Sequence, residues 1–156
     1  MSHTSFTPLD PGYEARVRDS FGRQSHMATL GVTIARIEPG EVHLRLPFSP
    51  KFAQQNGYLH AGAIASVADS ANGYAAFTLA PPGTDVLAVE FKINLLAPAR
   101  GEAFLAKARV LRAGRTLTVC LADVTTADET EPILVATMMS TIIVRPLADA
   151  RGTARP

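Results

Sequence analysis

Residues 60–80 form a run free of proline and rich in alanine, entered through the polar loop Gln54-Gln55-Asn56-Gly57 and closed by Pro81-Pro82-Gly83. Such a run predicts a single long helix, and the rest of the chain has to be arranged around it. Within it Ile64, Val67, Ala68, Ala71, Tyr74 and Ala75 recur at helical spacing, a stripe suited to packing on a sheet. Asp69 lies off that stripe. Its neighbours on the helix surface are Gly62, Ala65, Ser66, Asn72, Gly73 and Ala76, so a carboxylate there has room to meet a substrate or another subunit. On an arbitrary helix such an acid more often faces solvent, and the loop ahead of the helix shifts the balance.

Outside that run the period is mostly two. Val32, Ile34 and Arg36 alternate with Thr33, Ala35 and Ile37, a turn follows at Glu38-Pro39-Gly40-Glu41, and Val42, Leu44 and Leu46 alternate with His43 and Arg45. After the helix, Val89, Phe91, Ile93 and Leu95 alternate with Glu90, Lys92 and Asn94. Beyond Pro98-Ala99-Arg100-Gly101 come Phe104, Ala106, Ala108 and Val110, then a tight turn at Ala113-Gly114, then Leu117, Val119 and Leu121. A polar turn around Asp128 leads to a last strand over 133–144. Upstream, Asp10-Pro11 reads as a helix start, with Tyr13, Val17 and Phe21 at i, i+4 and i+8 and Gly22 as the stop. This short helix is expected to lie across the body as a cover, with no chemistry of its own.

The order is one short helix, two strands, one long helix and four strands joined mainly by hairpin turns. That is an α+β architecture, an antiparallel sheet wrapped around one long central helix. In the last strand both alternating sets are largely apolar: Ile133, Val135, Met139 and Ile143 on one side, Leu134, Ala136, Met138, Ile142 and Val144 on the other. One helix covers only one face of a sheet, so the other face calls for a second copy of the chain.

At 156 residues one domain is expected, and a net charge of +1 gives no field that would favour nucleic acid or an anionic membrane as partner. The single cysteine, Cys120, allows no internal disulfide and suits a reducing compartment. No basic-then-apolar leader opens the sequence, and the central helix carries Asp69 and Asn72 near its middle, so a cytoplasmic protein without a membrane span is expected. His26 and His43 lack partners at metal-ligand spacing, which argues for no metal site. Gly-x-Ser-x-Gly, Gly-x-Gly-x-x-Gly and phosphate-loop signatures are missing. Catalysis would then fall to a carboxylate, to backbone donors at a helix start, and to amide or hydroxyl side chains.

The helix-entry run Gln-Asn-Gly-Tyr-Leu-His60-Ala-Gly62, with Ala68-Asp69 following, resembles the hotdog-fold thioesterases, in particular the branch of phenylacetate-pathway and hydroxybenzoyl-CoA thioesterases. Val89-Glu90-Phe91-Lys92-Ile93-Asn94 and Ala97-Pro98-Ala99 are similar to that family's strand after the central helix. The resemblance spans roughly 30–144 and divides the chain into an N-terminal segment (1–29), a hotdog domain (30–145) and a flexible tail (146–156). It implies hydrolysis of acyl-CoA thioesters, with aryl acyl groups within range and no cofactor, since coenzyme A is part of the substrate. Two departures stand out. His60-Ala61-Gly62 replaces the family's commoner His-Gly-Gly, and Ala88 stands where some relatives carry a hydroxyl residue.

The chemistry implied also has a physical basis. The first turn of a helix offers unpaired N–H groups and a positive dipole end, here near Ala61 and Gly62, as an oxyanion hole. Asp69 would act as general base or as nucleophile. By resemblance Gln54 orients the water or the carbonyl, with Gln55 and Asn56 as neighbouring competitors, and Asn56 is counted with the substrate-binding residues. His60 is read chiefly as fixing the loop rather than transferring protons. The acyl group would lie beside Asp69 against Asn72 and Gly73. Lys92, Arg100, Arg112 and Arg115 are the candidate partners of the CoA phosphates.

Asp69 and the helix start stand about nine residues apart, roughly 13 Å along one helix, so one subunit cannot bring both to one carbonyl. A homodimer with a shared site is expected, and further a dimer of dimers. Two alternatives stay open: an acyl-thioester hydratase or dehydratase on the same fold, and a non-catalytic acyl-CoA-binding module.

Overall fold

The computed structural model describes residues 6–128 and 130–147. Its central element is α3, Ala61–Phe77, and the predicted stripe is its buried face: Ile64, Val67, Ala68, Ala71, Tyr74 and Ala75 all face the core. The last turn tightens before Pro81, and the Thr78 hydroxyl bonds back to the Ala75 carbonyl at 2.7 Å and accepts the Gly40 N–H at 2.7 Å. The helix therefore ends short of the residue 80 that composition suggested.

Six antiparallel strands wrap the helix: β1 Thr33–Glu38, β2 Glu41–Pro47, β3 Thr84–Leu95, β4 Ala103–Ala113, β5 Leu117–Thr126 and β6 Leu134–Pro146, in the order β1-β2-β4-β5-β6-β3. The inward faces of β2, β4, β5 and β6 give the core Val42, Leu44, Leu46, Phe104, Ala106, Ala108, Cys120, Ala122, Val124, Met138 and Ile142. Small residues under the helix let it sit close to the sheet, while burial pushes the Cys120 thiol up to about 12 and leaves it an inert packing group. The turn after β4 has a tight requirement at Gly114, where a Cβ would lie 2.6 Å from the Leu117 carbonyl oxygen.

Three expectations are corrected. The hairpin reading holds for β4, β5 and β6, but β3 does not neighbour β4: it crosses to the far side of the sheet and pairs with β6. Alternation counted along β1 fails at the bulge between Ile34 and Arg36, which turns Ile37 into the core and leaves Arg36 outside against Glu38 and Glu41. Likewise an irregularity between Val124 and Thr125 shifts the start of β6, so that Val135 is buried and Leu134 exposed, the reverse of the simple count. The outward face still carries exposed apolar residues, among them Met139, Leu117 and Leu87.

The N-terminal segment holds two helices, α1 Tyr13–Gly22 and α2 Ser25–Leu30, the second not foreseen. The helix start expected at Asp10-Pro11 falls later: the N-cap of α1 is Gly12, with no side-chain cap bond, and the Asp10 carboxylate accepts the Gly12 N–H at 2.8 Å in the turn ahead of the helix. Arg16 pins α1 to the end of α3, donating to the carbonyls of Phe77, Ala80 and Pro81 and lying 4.5 Å over the Phe77 ring. A cation there meets the negative end of the helix dipole. At the other terminus β6 runs through Pro146, and the Leu147 N–H bonds the Gly83 carbonyl at 3.0 Å. Residues 146 and 147 of the expected flexible tail are thus held to the sheet, and 148–156 lie outside the described residues.

Candidate active site

The entry to α3 is a turn closed by its own backbone. Gln54 N–H bonds Tyr58 O at 2.8 Å and Gly57 N–H bonds Gln54 O at 3.0 Å, with Gly57 at φ +81°, a conformation glycine adopts without strain. Leu59 and His60 are then held by Ala99 O at 3.1 Å and Phe52 O at 2.8 Å. His60 is the N-cap: its Nδ1 accepts the Gly62 N–H at 2.8 Å, which requires the neutral ring with its proton on Nε2. This agrees with the reading of His60 as a residue that fixes the loop.

That cap revises the oxyanion pair. Gly62 N–H is occupied by His60, and Ala63 and Ile64 N–H go to the His60 carbonyl at 3.0 and 3.3 Å. Among the described residues the Ala61 N–H alone of the first turn has no acceptor. Ala61 lines a cavity of about 420 Å³ whose other walls include Gln54, Tyr58, Ile64, Leu95, Leu96 and Pro98. The Gln54 side-chain oxygen already accepts the Asn56 N–H, which leaves the amide NH₂ as its end for a ligand. Asn56 itself is exposed and does not line this cavity.

Asp69 lies on the same helix but opens on another cavity of about 420 Å³, with Gly73, Tyr74, Asp85 and Ala88 among its walls. Its Oδ1 is buried without a hydrogen-bond partner, and desolvation holds its pKa above the ordinary carboxylate value. A carboxylate with an idle oxygen and a raised pKa is a competent proton acceptor, because its basicity is not spent on a structural partner. Ala88 brings no hydroxyl to this wall.

Asn72 is corrected. It is fully buried between helix and sheet, its Nδ2 donating to Ser140 Oγ at 2.8 Å and to Met138 O at 3.4 Å, so it docks α3 on β6 and does not line the Asp69 cavity. Gly73, by contrast, does line it. Periodicity gave no hint that the N-terminal segment also builds this wall, yet Ser20, Arg23 and Gln24 are part of it. The one available signal was that this segment carries polar side chains beyond what an amphipathic cover needs.

The four basic candidates do not form one cluster within the chain. Arg100 stands near the helix start, its guanidinium 4.6 Å over the Tyr58 ring and bonded to the Tyr58 hydroxyl. Lys92 donates to Asn94 Oδ1 at 2.7 Å on exposed β3. Arg112 and Arg115 sit at the β4–β5 turn, the opposite end of the sheet. Among the described residues no three His, Cys, Asp or Glu side chains gather as a metal ion would need, and no described helix is long and apolar enough to cross a membrane.

A long helix wrapped by an antiparallel sheet, with a free amide at its start and an unpaired acid midway along it, is the hotdog thioesterase fold. The chain belongs to the thioesterase superfamily, whose family description matches residues 56–133, from the helix entry to the start of the last strand. A thioesterase family protein from Silicibacter pomeroyi is 47% identical, with a TM-score of 0.84 over 86% of this chain and 99% of that one. The 1,4-dihydroxy-2-naphthoyl-CoA hydrolase of Listeria monocytogenes is 30% identical over 106 residues, 68% of this chain and 85% of the relative. A protein of the Escherichia coli phenylacetic acid degradation operon shares the fold, with a TM-score of 0.77 over 86% of this chain and 94% of that one at 18% identity.

Proposed function

We propose that this chain hydrolyses acyl-CoA thioesters, aryl acyl groups included, in a site shared by two subunits. The observation that carries this reading is the placement of both cavities along β3. Asp85 and Ala88 border the Asp69 cavity and Leu95, Leu96 and Ala97 border the Ala61 cavity, on either side of a midpoint near Phe91. β3 is an edge strand, and an edge strand pairs readily with a second copy of itself. Antiparallel pairing about Phe91 would set the Asp69 cavity of one protomer against the Ala61 cavity of the other, uniting acid and oxyanion donor.

The exposure of β3 supports the same pairing. Phe91 and Leu95 pair with buried Ser140 and Ala136 and so lie on the helix side of the sheet, yet they are 46% and 55% exposed. A partner would cover them. The outward apolar residues Leu87, Leu117 and Met139 favour a further pairing into a dimer of dimers.

In the shared site the Ala61 N–H, at the positive end of α3, would polarise the thioester carbonyl, and the Gln54 NH₂ would hold the water or the carbonyl oxygen. Asp69 would take the proton of an attacking water, or attack the carbonyl carbon itself and form a mixed anhydride that water then opens. Free acid and CoA thiol are the products. The same pairing would bring the sheet end that carries one protomer's Arg112 and Arg115 to the same side as the other's Arg100, and these arginines are the candidates for holding the CoA phosphates. No histidine borders the Asp69 cavity among the described residues, which speaks against the hydratase reading. The likeness to a relative that bears the name of a 1,4-dihydroxy-2-naphthoyl-CoA hydrolase favours aromatic acyl groups.

The test is a panel of acyl- and aryl-CoA thioesters with release of free CoA thiol as the readout. Turnover by the wild-type chain that falls by two orders of magnitude or more in Asp69→Ala, roughly the range of a lost general base, supports the reading. Binding without turnover across the panel would return the chain to the class of acyl-CoA-binding modules.

A further inference from the structure

The outward face of β3 carries two opposite charges, Glu90 and Lys92, one on each side of Phe91 in sequence. They pair in register with Thr141 and Met139 of β6, while Phe91 and Ile93 pair with buried Ser140 and Met138, so Glu90 and Lys92 point away from α3. Both are exposed. Glu90 Oε1 accepts the Thr141 hydroxyl, and Lys92 Nζ donates to Asn94 Oδ1 at 2.7 Å. Among the described residues neither enters an ion pair. The irregularity of β3 falls ahead of Glu90, so the alternation from Glu90 to Leu95 is unbroken.

An edge strand that pairs with a second copy of itself can do so in more than one alignment. Residues opposite one another across an antiparallel pair point to the same face, so the alignments that keep both α3 helices on one side of the sheet differ by steps of two residues, about 7 Å along the strand. Charge separates them. With Phe91 opposite Phe91, Glu90 of each copy faces Lys92 of the other, and the two-fold axis makes that contact twice. A step one way sets Glu90 against Glu90, and a step the other way sets Lys92 against Lys92. Unlike charges directly opposite attract and like charges repel. Either step would also move the Asp69 cavity of one copy by about 7 Å relative to Ala61 of the other.

We infer that Glu90 and Lys92 set the register in which two copies of this chain pair along β3, an inference that rests on the shared-site reading and adds to it what selects the alignment. They are positioning residues. They act on the reaction by holding the Asp69 cavity of one copy against the Ala61 cavity of the other. Lys92 is thereby assigned to the subunit contact rather than to the CoA phosphates.

The experiment uses Glu90→Lys and Lys92→Glu. In either homodimer both symmetric contacts become like-charged, whereas in the mixed dimer both are unlike again. After subunit exchange at low ionic strength, with one variant isotope-labelled and the species weighed by native mass spectrometry, the mixed dimer is expected to make up about nine-tenths of the dimers, against one half for random exchange. Thioester turnover by the mixture should exceed that of either variant alone at the same total protein. Glu90→Cys and Lys92→Cys read the register directly: oxidation of their mixture should link the chains more completely than oxidation of either alone, the native Cys120 being buried. Random exchange of the charge variants overturns the inference, as does turnover that does not rise on mixing or a link that forms as well in one cysteine variant alone. A wild-type chain that stays monomeric, or that turns over no thioester, would instead bring down the proposed function on which the inference stands.

Discussion

Exchange of Asp69 for asparagine should make the protein more stable and nearly inactive at once. The substitution keeps the shape of the side chain and removes its charge. In the structure Oδ1 is buried with no partner, and desolvation alone raises the pKa. Leaving a buried polar group unsatisfied costs about 1–3 kcal/mol, and since Asp69 is only partly buried the lower end applies, about 1 kcal/mol at neutral pH. For a domain of this size that corresponds to a rise in Tm of about 2–4 °C. The pH dependence follows from the direction of the shift. A carboxyl whose folded pKa lies above its unfolded value binds more protons in the folded state, so its destabilising effect is absent below the unfolded pKa, near 4, and grows as pH rises through the folded value. Thermal melts of wild type and Asp69→Asn should therefore converge toward about pH 4 and separate toward pH 7, with the variant the more stable. Thioester turnover should fall by about two to four orders of magnitude across the same range. An Asp69→Asn protein that melts lower than wild type at pH 7 would show that the carboxylate has a favourable partner and would refute the desolvation argument.

His60→Ala removes the acceptor of the Gly62 N–H and should cost about 1 kcal/mol at the helix start, read by denaturant melts, while His60→Asn, another good N-cap, should recover most of it. Recovery of turnover together with stability in His60→Asn would mark the ring as a loop-fixing group, and stability without turnover would give it a part in the chemistry. Phe91→Lys sets a charge at the midpoint of β3, so sedimentation should show a shift to monomer and turnover should be lost with it; a fully active monomer would defeat the shared site. Asn72→Ala strips α3 of its bonds to Ser140 and Met138 and should destabilise by about 1–3 kcal/mol, with KM for a given thioester unchanged in the protein that stays folded.

Much of the molecule is readable along the chain because its physics is local. The stripe from Ile64 to Ala75 follows from helical spacing, the paired strands from alternation, and the helix start from a polar loop ahead of an unbroken alanine-rich run. Asp69 could be singled out for the same reason, since small neighbours three and four residues away are a property of one helix. The resemblance then gave these elements a chemistry, and the family match and the sheet order agree with the fold it implied.

Other features depended on partners far away in sequence. The place of β3 at the sheet edge, and with it the exposed Phe91 and Leu95, is fixed by pairing with β6 some fifty residues later. Bulges moved Ile37 and Val135 inward against a strict count of two, because the fit of a strand to its neighbour outweighs its own alternation. Asn72 was drawn beneath the helix by Ser140 on β6. The sequence by itself determined which helix carries the acid and where that helix begins. Only the tertiary structure decided that the N-terminal helices supply the wall facing Asp69, because that outcome depends on which groups meet across the fold.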